Sequence, residues 1–188
     1  MRHRRDFIRF MVTAGIGASV LGALPAPVRA LVAPQNVFPN AARQPSFHRS
    51  QSSGAVLGSL VIPSIAVDEI VRCGVAMSVI DLGPAHWAGT ALPGKAGNVV
   101  LAGHRTTKTR PFYDLDRLDP DDLIYMSDGG GFEVMYAVSG TMIVEPNDLW
   151  ITYDTPDPTL TMFACHPKGS ERYRIVVQAD LVGRRRIT

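Results

Sequence analysis

The stretch that decides the fold is Thr159-Leu160-Thr161-Met162-Phe163-Ala164-Cys165, followed directly by His166-Pro167-Lys168-Gly169-Ser170. The first seven residues form a short apolar run, and the next segment has the composition of a loop. This pattern predicts a buried strand that ends at Cys165. A strand end is where a scaffold presents a side chain to a cleft, and a thiol in that place indicates a nucleophile.

Two other predicted strand ends carry polar side chains. The apolar run 98–102 is followed two positions later by His104, and Arg174 begins a run of three aliphatic residues. We interpret His104 as a proton carrier and Arg174 as an oxyanion stabiliser acting with Cys165. Arg172 is the alternative to Arg174, because residues two apart in a strand share one face.

The chain from residue 55 onward consists of short apolar runs separated by glycine, proline, asparagine and aspartate. This regular spacing predicts an antiparallel barrel or sandwich. Ser139-Gly140 between two runs indicates a hairpin, and helix is limited to short turns at 112–118 and 147–150. The predicted strands are 57–62, 67–71, 98–102, 123–126, 132–138, 141–144, 159–164 and 174–182.

The N-terminal part of the chain has the features of an export segment. Four basic residues, Arg2, Arg4, Arg5 and Arg9, precede an apolar stretch over 10–24. Residues 28–30 then offer small side chains at the two positions that a signal peptidase recognises. The segment 3–9 also resembles a twin-arginine export signal, which is bacterial. We predict an export signal or signal anchor over 1–32, a flexible linker over 33–54 and a folded domain over 55–188.

Composition and charge place the domain among ordinary globular proteins. Hydrophobic residues make up 46% of the chain and the formal net charge is +2, an excess too small to indicate nucleic-acid binding. The acidic residues around 116–122 lack the alternation of a calcium loop, and two cysteines are too few for a zinc site. We therefore predict no metal. Cys73 and Cys165 could instead form a disulfide, which would make the domain a non-catalytic cell-surface binding module.

Seven short segments, in this order and spacing, carry a more specific signal than any one of them alone. They are His86-Trp87-Ala88-Gly89-Thr90-Ala91-Leu92-Pro93-Gly94, Gly97-Asn98-Val99-Val100-Leu101-Ala102-Gly103-His104-Arg105-Thr106-Thr107, Pro111-Phe112, Leu115-Asp116, Thr159-Leu160-Thr161, Cys165-His166-Pro167-Lys168-Gly169-Ser170 and Arg174-Ile175-Val176-Val177. Together they resemble the sortase family, and most closely the class E sortases of actinobacteria.

The resemblance implies a closed eight-stranded β-barrel with short helical turns. It also implies a cysteine transpeptidase, without a cofactor, that cleaves a C-terminal Leu-(Ala or Pro)-any-Thr-Gly sorting signal between Thr and Gly. In that family pattern Cys165 matches the nucleophile, His104 the essential histidine and Arg174 the essential arginine. The implied partners are secreted proteins with such signals and a cell-wall precursor amine, at the extracytoplasmic face of a bacterial membrane.

Three further residues are implied to contact substrate: Ala164, His166 and Thr106. Two positions depart from the family pattern. Ala164 stands where a threonine is usual, and Lys108-Thr109-Arg110 stands where class E members carry a tyrosine. These departures bear on groove polarity and on the preference for alanine or proline at the second motif position. Arg105 is interpreted as a surface or loop residue.

Overall fold

The fold was obtained as a computed structural model, in which residues 53–127 and 129–187 are described. The predictions for residues 1–32 and for the linker up to residue 52 lie outside these ranges, and the domain boundary at 55 stays a prediction. Within the described ranges, no helix has the length and apolar character needed to cross a membrane.

Eight strands of the described residues form the barrel. Apolar and β-branched residues dominate them, and glycine, proline and aspartate lie between them, as the sequence pattern indicates. They are β1 (Val56–Ile62), β2 (Val67–Cys73), β3 (Ala85–His86), β4 (Asn98–Ala102), β5 (Leu123–Ser127), β6 (Phe132–Val144), β7 (Thr159–His166) and β8 (Tyr173–Arg186).

The strands close into a barrel in the order β1-β2-β3-β4-β7-β8-β6-β5, with β5 pairing back onto β1. The prediction of a closed eight-stranded barrel is confirmed. The expectation of a purely antiparallel sheet is wrong, because β2 pairs with β3 and β4 pairs with β7 in parallel. A parallel pair needs a long crossover, and here residues 103–158, which include β5 and β6, connect β4 to β7.

The predicted hairpin at Ser139-Gly140 is also wrong. Those residues lie inside the single strand β6, which pairs along its whole length with β8. The register shifts between Val138 and Gly140, so a β-bulge accommodates the residues that looked like a turn. The short helices are α1 (Met77–Ile80) and three 3₁₀ turns at Pro63–Ile65, Leu115–Arg117 and Leu149–Thr152.

Alternation along β7 assigns its side chains to two faces of the barrel wall. Leu160, Met162 and Ala164 pack in the main core. Phe163 packs in a second cluster on the outer face, where the segment 145–158 covers the wall with Trp150 and Ile151. Cys165 follows Phe163 by two residues and therefore belongs to the outer face.

Candidate active site

Cys165 lies at the penultimate position of β7, and its side chain is partly exposed. The pleat directs it away from the core, toward the same side as Phe163. The ring of Phe163 contacts that of Trp87, with centroids 5.9 Å apart. The thiol therefore stands beside an aromatic surface on the outside of the barrel and is reachable from solvent.

Arg174 lies directly opposite Cys165 in the antiparallel pairing of β7 with β8. Opposed residues of such a pair direct their side chains to the same face, with Cβ atoms about 4.5–5.5 Å apart. The guanidinium of Arg174 donates to the carbonyl oxygens of Glu171 and Tyr173, each at 2.9 Å. Arg172 precedes the strand and places its guanidinium 5.1 Å from the ring centre of Tyr173. The register thus favours Arg174 over Arg172 as the partner of the thiol.

His104 follows β4, the parallel neighbour of β7 on its other side. The register pairs Ala102 with Phe163, and the N–H of Gly103 donates to the carbonyl of Phe163 at 3.2 Å. Continuing that register by two residues sets His104 alongside Cys165. Three adjacent strands therefore bring a guanidinium, a thiol and an imidazole to the same end of the barrel wall.

The residue before His104 must be glycine, because the ring of Phe112 occupies the space that a side chain at position 103 would need. A Cβ on Gly103 would lie 2.5 Å from Cδ2 of Phe112, and Phe112 is fully buried. The N–H of Phe112 also donates to the carbonyl of His104 at 3.2 Å. The buried ring and this hydrogen bond fix the backbone that carries the imidazole.

The imidazole of His104 is held by Asp81, a residue that the sequence analysis did not identify. Nε2 of His104 lies 2.8 Å from Oδ1 of Asp81, and Nζ of Lys108 lies 3.4 Å from the other carboxylate oxygen. The hydrogen bond from His104 is the main reason that the pKa of Asp81 lies below its usual range, with Lys108 as a further cause. Asp81 directly follows α1, a short helix that the sequence analysis did not predict.

Arg105 lies in the loop after β4, as interpreted, but not at the surface, since 2% of it is exposed. Its Nη2 lies 2.8 Å from Oδ1 of Asp116, its Nη1 donates to Nδ1 of His166 at 2.6 Å, and its Nε donates to the carbonyl of Tyr113 at 3.3 Å. Partial burial opposes ionisation of Asp116, but attraction to Arg105 prevails and brings its pKa below the usual range. Arg105 therefore ties the residue after Cys165 to the loop that follows β4.

The three residues expected to contact substrate occupy different places. Ala164 is 2% exposed and packs in the main core: the pleat turns its side chain to the opposite face from Cys165, and its contact with substrate stays a prediction. His166 is partly exposed and accepts from Arg105. A guanidinium only donates, so Nδ1 of His166 is the acceptor in this contact. Thr106 is partly exposed in the loop after His104.

A buried polar network holds the far end of the same outer face. Asn98 accepts from the Thr161 hydroxyl at 2.8 Å, and Gln178 donates to that hydroxyl at 3.2 Å. The amide of Asn98 also donates to the carbonyls of Ile151 and Tyr153, each at 3.0 Å. Asn98 thereby fixes the segment 145–158 on the wall that carries Cys165.

Neither Cys73 nor Cys165 forms a disulfide, and the disulfide alternative is wrong. Cys73 faces the core on β2, and the pairings of β2, β3, β4 and β7 put it three strands away from β7. At about 4.8 Å per strand step, that separation exceeds the roughly 7 Å Cα limit for a disulfide. In the described ranges, no group of three or more His, Cys, Asp or Glu side chains could hold a metal ion.

The closed barrel has a cysteine at the end of one strand, an arginine on the next strand, and a histidine just past the end of the strand on the other side. This combination is the one that the sequence resemblance implies, and comparison with known proteins gives the same family. Residues 60–182 match the Sortase domain family, and the chain belongs to the sortase family.

Among curated relatives, the chain is similar to Sortase SrtE1 of Streptomyces coelicolor and to Sortase A of Bacillus anthracis. It is 28% identical to the first over 166 residues, which covers 80% of this chain and 46% of the relative. It is 31% identical to the second over 130 residues, which covers 68% of this chain and 60% of the relative. The matched regions thus span about half to three fifths of these relatives' length.

Solved structures share the fold. A sortase E T196V mutant from Streptomyces avermitilis aligns with a TM-score of 0.66 at 26% identity, covering 72% of this chain and 93% of that one. Sortase C-3 from Streptococcus pneumoniae aligns with a TM-score of 0.68 at 27% identity, covering 79% and 73%.

Proposed function

We propose that this protein is a cysteine transpeptidase that cleaves a C-terminal Leu-(Ala or Pro)-any-Thr-Gly signal between Thr and Gly and transfers the upstream protein to a cell-wall amine. The observation that carries the proposal is the strand register, which sets Arg174 of β8 opposite Cys165 of β7 and brings His104, two residues past the end of β4, to the other side of Cys165. A related structure is described as a sortase D5 transpeptidase of Clostridium perfringens, with 26% identity.

In the first half of the reaction, His104 takes the proton of the Cys165 thiol, and the resulting thiolate attacks the Thr carbonyl carbon of the signal. The positive charge of Arg174 stabilises the thiolate before attack. The guanidinium donates to the substrate backbone or to the carbonyl oxygen as that oxygen gains negative charge, and the backbone N–H of His166 is the second donor. The peptide C–N bond then breaks, His104 gives a proton to the departing Gly amine, and a thioester remains on Cys165.

In the second half, an amine takes the acyl group from the thioester. The amine attacks the thioester carbonyl, His104 removes the amine proton, and Cys165 leaves as the thiolate. The product carries a new amide bond, so no oxidant, reductant or metal enters the balance. The aromatic surface of Trp87 and Phe163 beside the thiol, and the segment 145–158 pinned by Asn98, offer an apolar wall for the signal.

The export signal or anchor predicted at residues 1–32 places this activity at the extracytoplasmic face of a bacterial membrane. The substrates would then be secreted proteins during or after their own export. Ala164, which turns its side chain to the core, contributes at most its backbone to this groove, whereas Thr106 and His166 are exposed enough to contact the signal.

The test is incubation of the protein with a library of labelled peptides containing Leu-Pro-any-Thr-Gly or Leu-Ala-any-Thr-Gly, with and without a glycyl or diamino-acid amine. We expect mass spectrometry to show cleavage after Thr, an acyl adduct on Cys165 and a transfer product that depends on the amine. A Cys165→Ala variant should form none of these. Cleavage that persists in Cys165→Ala, or that occurs at another bond, would contradict the proposal.

A further inference from the structure

We propose that Asp81 is a positioning residue for the reaction: it holds His104 through Nε2, which leaves Nδ1 as the nitrogen that exchanges protons with Cys165 and the reacting amine. This inference deepens the proposed function and rests on it. It assigns both a residue and a ring atom to the proton transfer.

The first support is the geometry of the pair. Nε2 of His104 and Oδ1 of Asp81 are 2.8 Å apart, the usual length of a charge-assisted hydrogen bond. Within residues 53–127 and 129–187, this carboxylate is the polar group that the His104 ring contacts. A carboxylate accepts only, so Nε2 donates and the neutral ring keeps Nδ1 as a lone pair.

The second support is that Asp81 is rigidly mounted. It directly follows α1, and its own N–H donates to the carbonyl of Met77 at 2.9 Å. Val79 in the same turn is 5% exposed, so the turn is packed on the barrel. Pro84, three residues further on, accepts from the N–H of Arg72 on β2 at 3.1 Å, which fixes the other end of the segment.

The third support is electrostatic. The side chain of Asp81 is 30% exposed and that of His104 is 19% exposed, so water screens the attraction between them only in part. Lys108 lies on the other carboxylate oxygen at 3.4 Å and keeps Asp81 ionised. An ionised carboxylate on Nε2 stabilises the imidazolium that forms when Nδ1 takes a proton.

The consequence for the reaction is a fixed direction of proton transfer. With Nε2 occupied, the ring cannot present its other tautomer without breaking the bond to Asp81. His104 then accepts the proton of the attacking amine on Nδ1, and the departing Gly amine receives its proton from the same atom. Asp81 does not take up the proton itself.

The test combines kinetics with histidine NMR. In Asp81→Ala and Asp81→Asn we expect kcat to fall by about 10- to 100-fold with KM changed by less than about twofold; this is a smaller loss than the roughly 10⁴-fold known for a fully buried carboxylate in serine proteases. In ¹⁵N-histidine spectra, neutral His104 of the wild type should carry its proton on Nε2. Asp81→Ala should lose that preference.

Two control variants separate positioning from folding. Glu133→Gln removes a partly exposed carboxylate that pairs with Arg185 on β8, near the opposite end of that strand from Arg174, and should change neither kcat nor the tautomer. Lys108→Ala removes the second partner of Asp81 and should leave the Nε2–H tautomer in place. Thermal unfolding of each variant checks that the barrel is intact.

The outcomes are distinguishable. A wild-type His104 protonated on Nδ1, or an Asp81→Ala variant with kcat within about twofold of wild type, would overturn the inference while leaving the proposed function standing. If the wild type cleaved no signal at all, the proposed function would fail. The NMR comparison would still decide whether Asp81 holds the ring.

Discussion

At the scale of single residues, the two cysteines differ in the properties that control thiol reactivity. Cys73 is 4% exposed in the core, and burial raises the pKa of its thiol. Cys165 is partly exposed and lies opposite the guanidinium of Arg174. Since the thiolate is the reactive form, the fold itself separates an inert cysteine from an available one.

This difference predicts selective alkylation. We expect iodoacetamide at neutral pH to modify one cysteine in the folded chain, and peptide mapping to place the label on Cys165. Cys165→Ala should take up no label until it is unfolded, when Cys73 becomes accessible. Labelling of Cys73 in the folded protein would show that the core is not packed as described.

The two neighbouring arginines allow a matched comparison. Arg174→Ala should lower kcat/KM by about 10²- to 10³-fold, because an oxyanion donor is lost. Arg172→Ala, whose guanidinium lies on the Tyr173 ring before the strand begins, should stay within about threefold of wild type, as expected for an exposed residue. Steady-state cleavage of a labelled signal peptide measures both. Equal losses in the two variants would reject the assignment from register.

At the scale of elements, ion pairs join the loop after β4 to the loop after β7. Arg105 contacts both Asp116 and His166, and Lys168 lies 3.1 Å from Asp114 and 3.5 Å from Asp116. The loops belong to segments more than 50 residues apart in the chain, and they flank the strand end that carries Cys165. Their connection keeps the backbone around the thiol in one arrangement.

The Arg105–Asp116 pair predicts a stability effect that depends on pH. The folded-state pKa of Asp116 is lowered, so its contribution is present above the unfolded pKa, about 3.9, and is lost as the pH falls through the folded value. Asp116→Asn should cost about 1 kcal/mol at pH 7, since the carboxylate is 42% exposed. Urea unfolding should show this gap closing as the pH falls below 4. Asp119→Asn, an exposed acid of the same loop, should show no such gap at either pH.

The same scale shows what the sequence could reveal. The predicted strand 98–102 coincides with β4, because a short apolar run between two glycines is typical of a buried strand. The two residues of β3 give no periodic signal, and the turn-like Ser139-Gly140 pair is absorbed by a bulge in β6. The roles of Asp81 and Arg105 depend on partners far away in the chain, and only the folded register brings these together.

At the scale of the whole molecule, the barrel closes through a short seam between β1 and β5. Two register pairs, Leu60 with Met126 and Val61 with Tyr125, form it, and the Ser127 hydroxyl accepts from the N–H of Ser59 at 2.8 Å. Gly58 lies against the carbonyl oxygen of Ser127 so closely that a Cβ would overlap that atom. The seam therefore depends on the missing side chain.

We expect Gly58→Ala to destabilise the protein by about 1–3 kcal/mol, because the added methyl group must push the two strands apart. Hydrogen exchange should show faster exchange of the β1 and β5 amides, with those of β7 and β8 less affected. Ser59→Ala, which adds no atom at the seam, should have a smaller effect. A uniform rise in exchange across all strands would mean that the seam does not open independently.

The parallel pairing of β4 with β7 has a consequence for the order in which the protein acquires activity. Synthesis delivers the N-terminal half first, so a chain that has been made as far as β6 carries the imidazole of His104 and the carboxylate of Asp81 but not the Cys165 thiol. Cys165 and Arg174 are made last, on the two strands that pair with β4 and β6. A partly synthesised chain therefore lacks the group that would form the proposed thioester, and the site is complete only when β8 has been added.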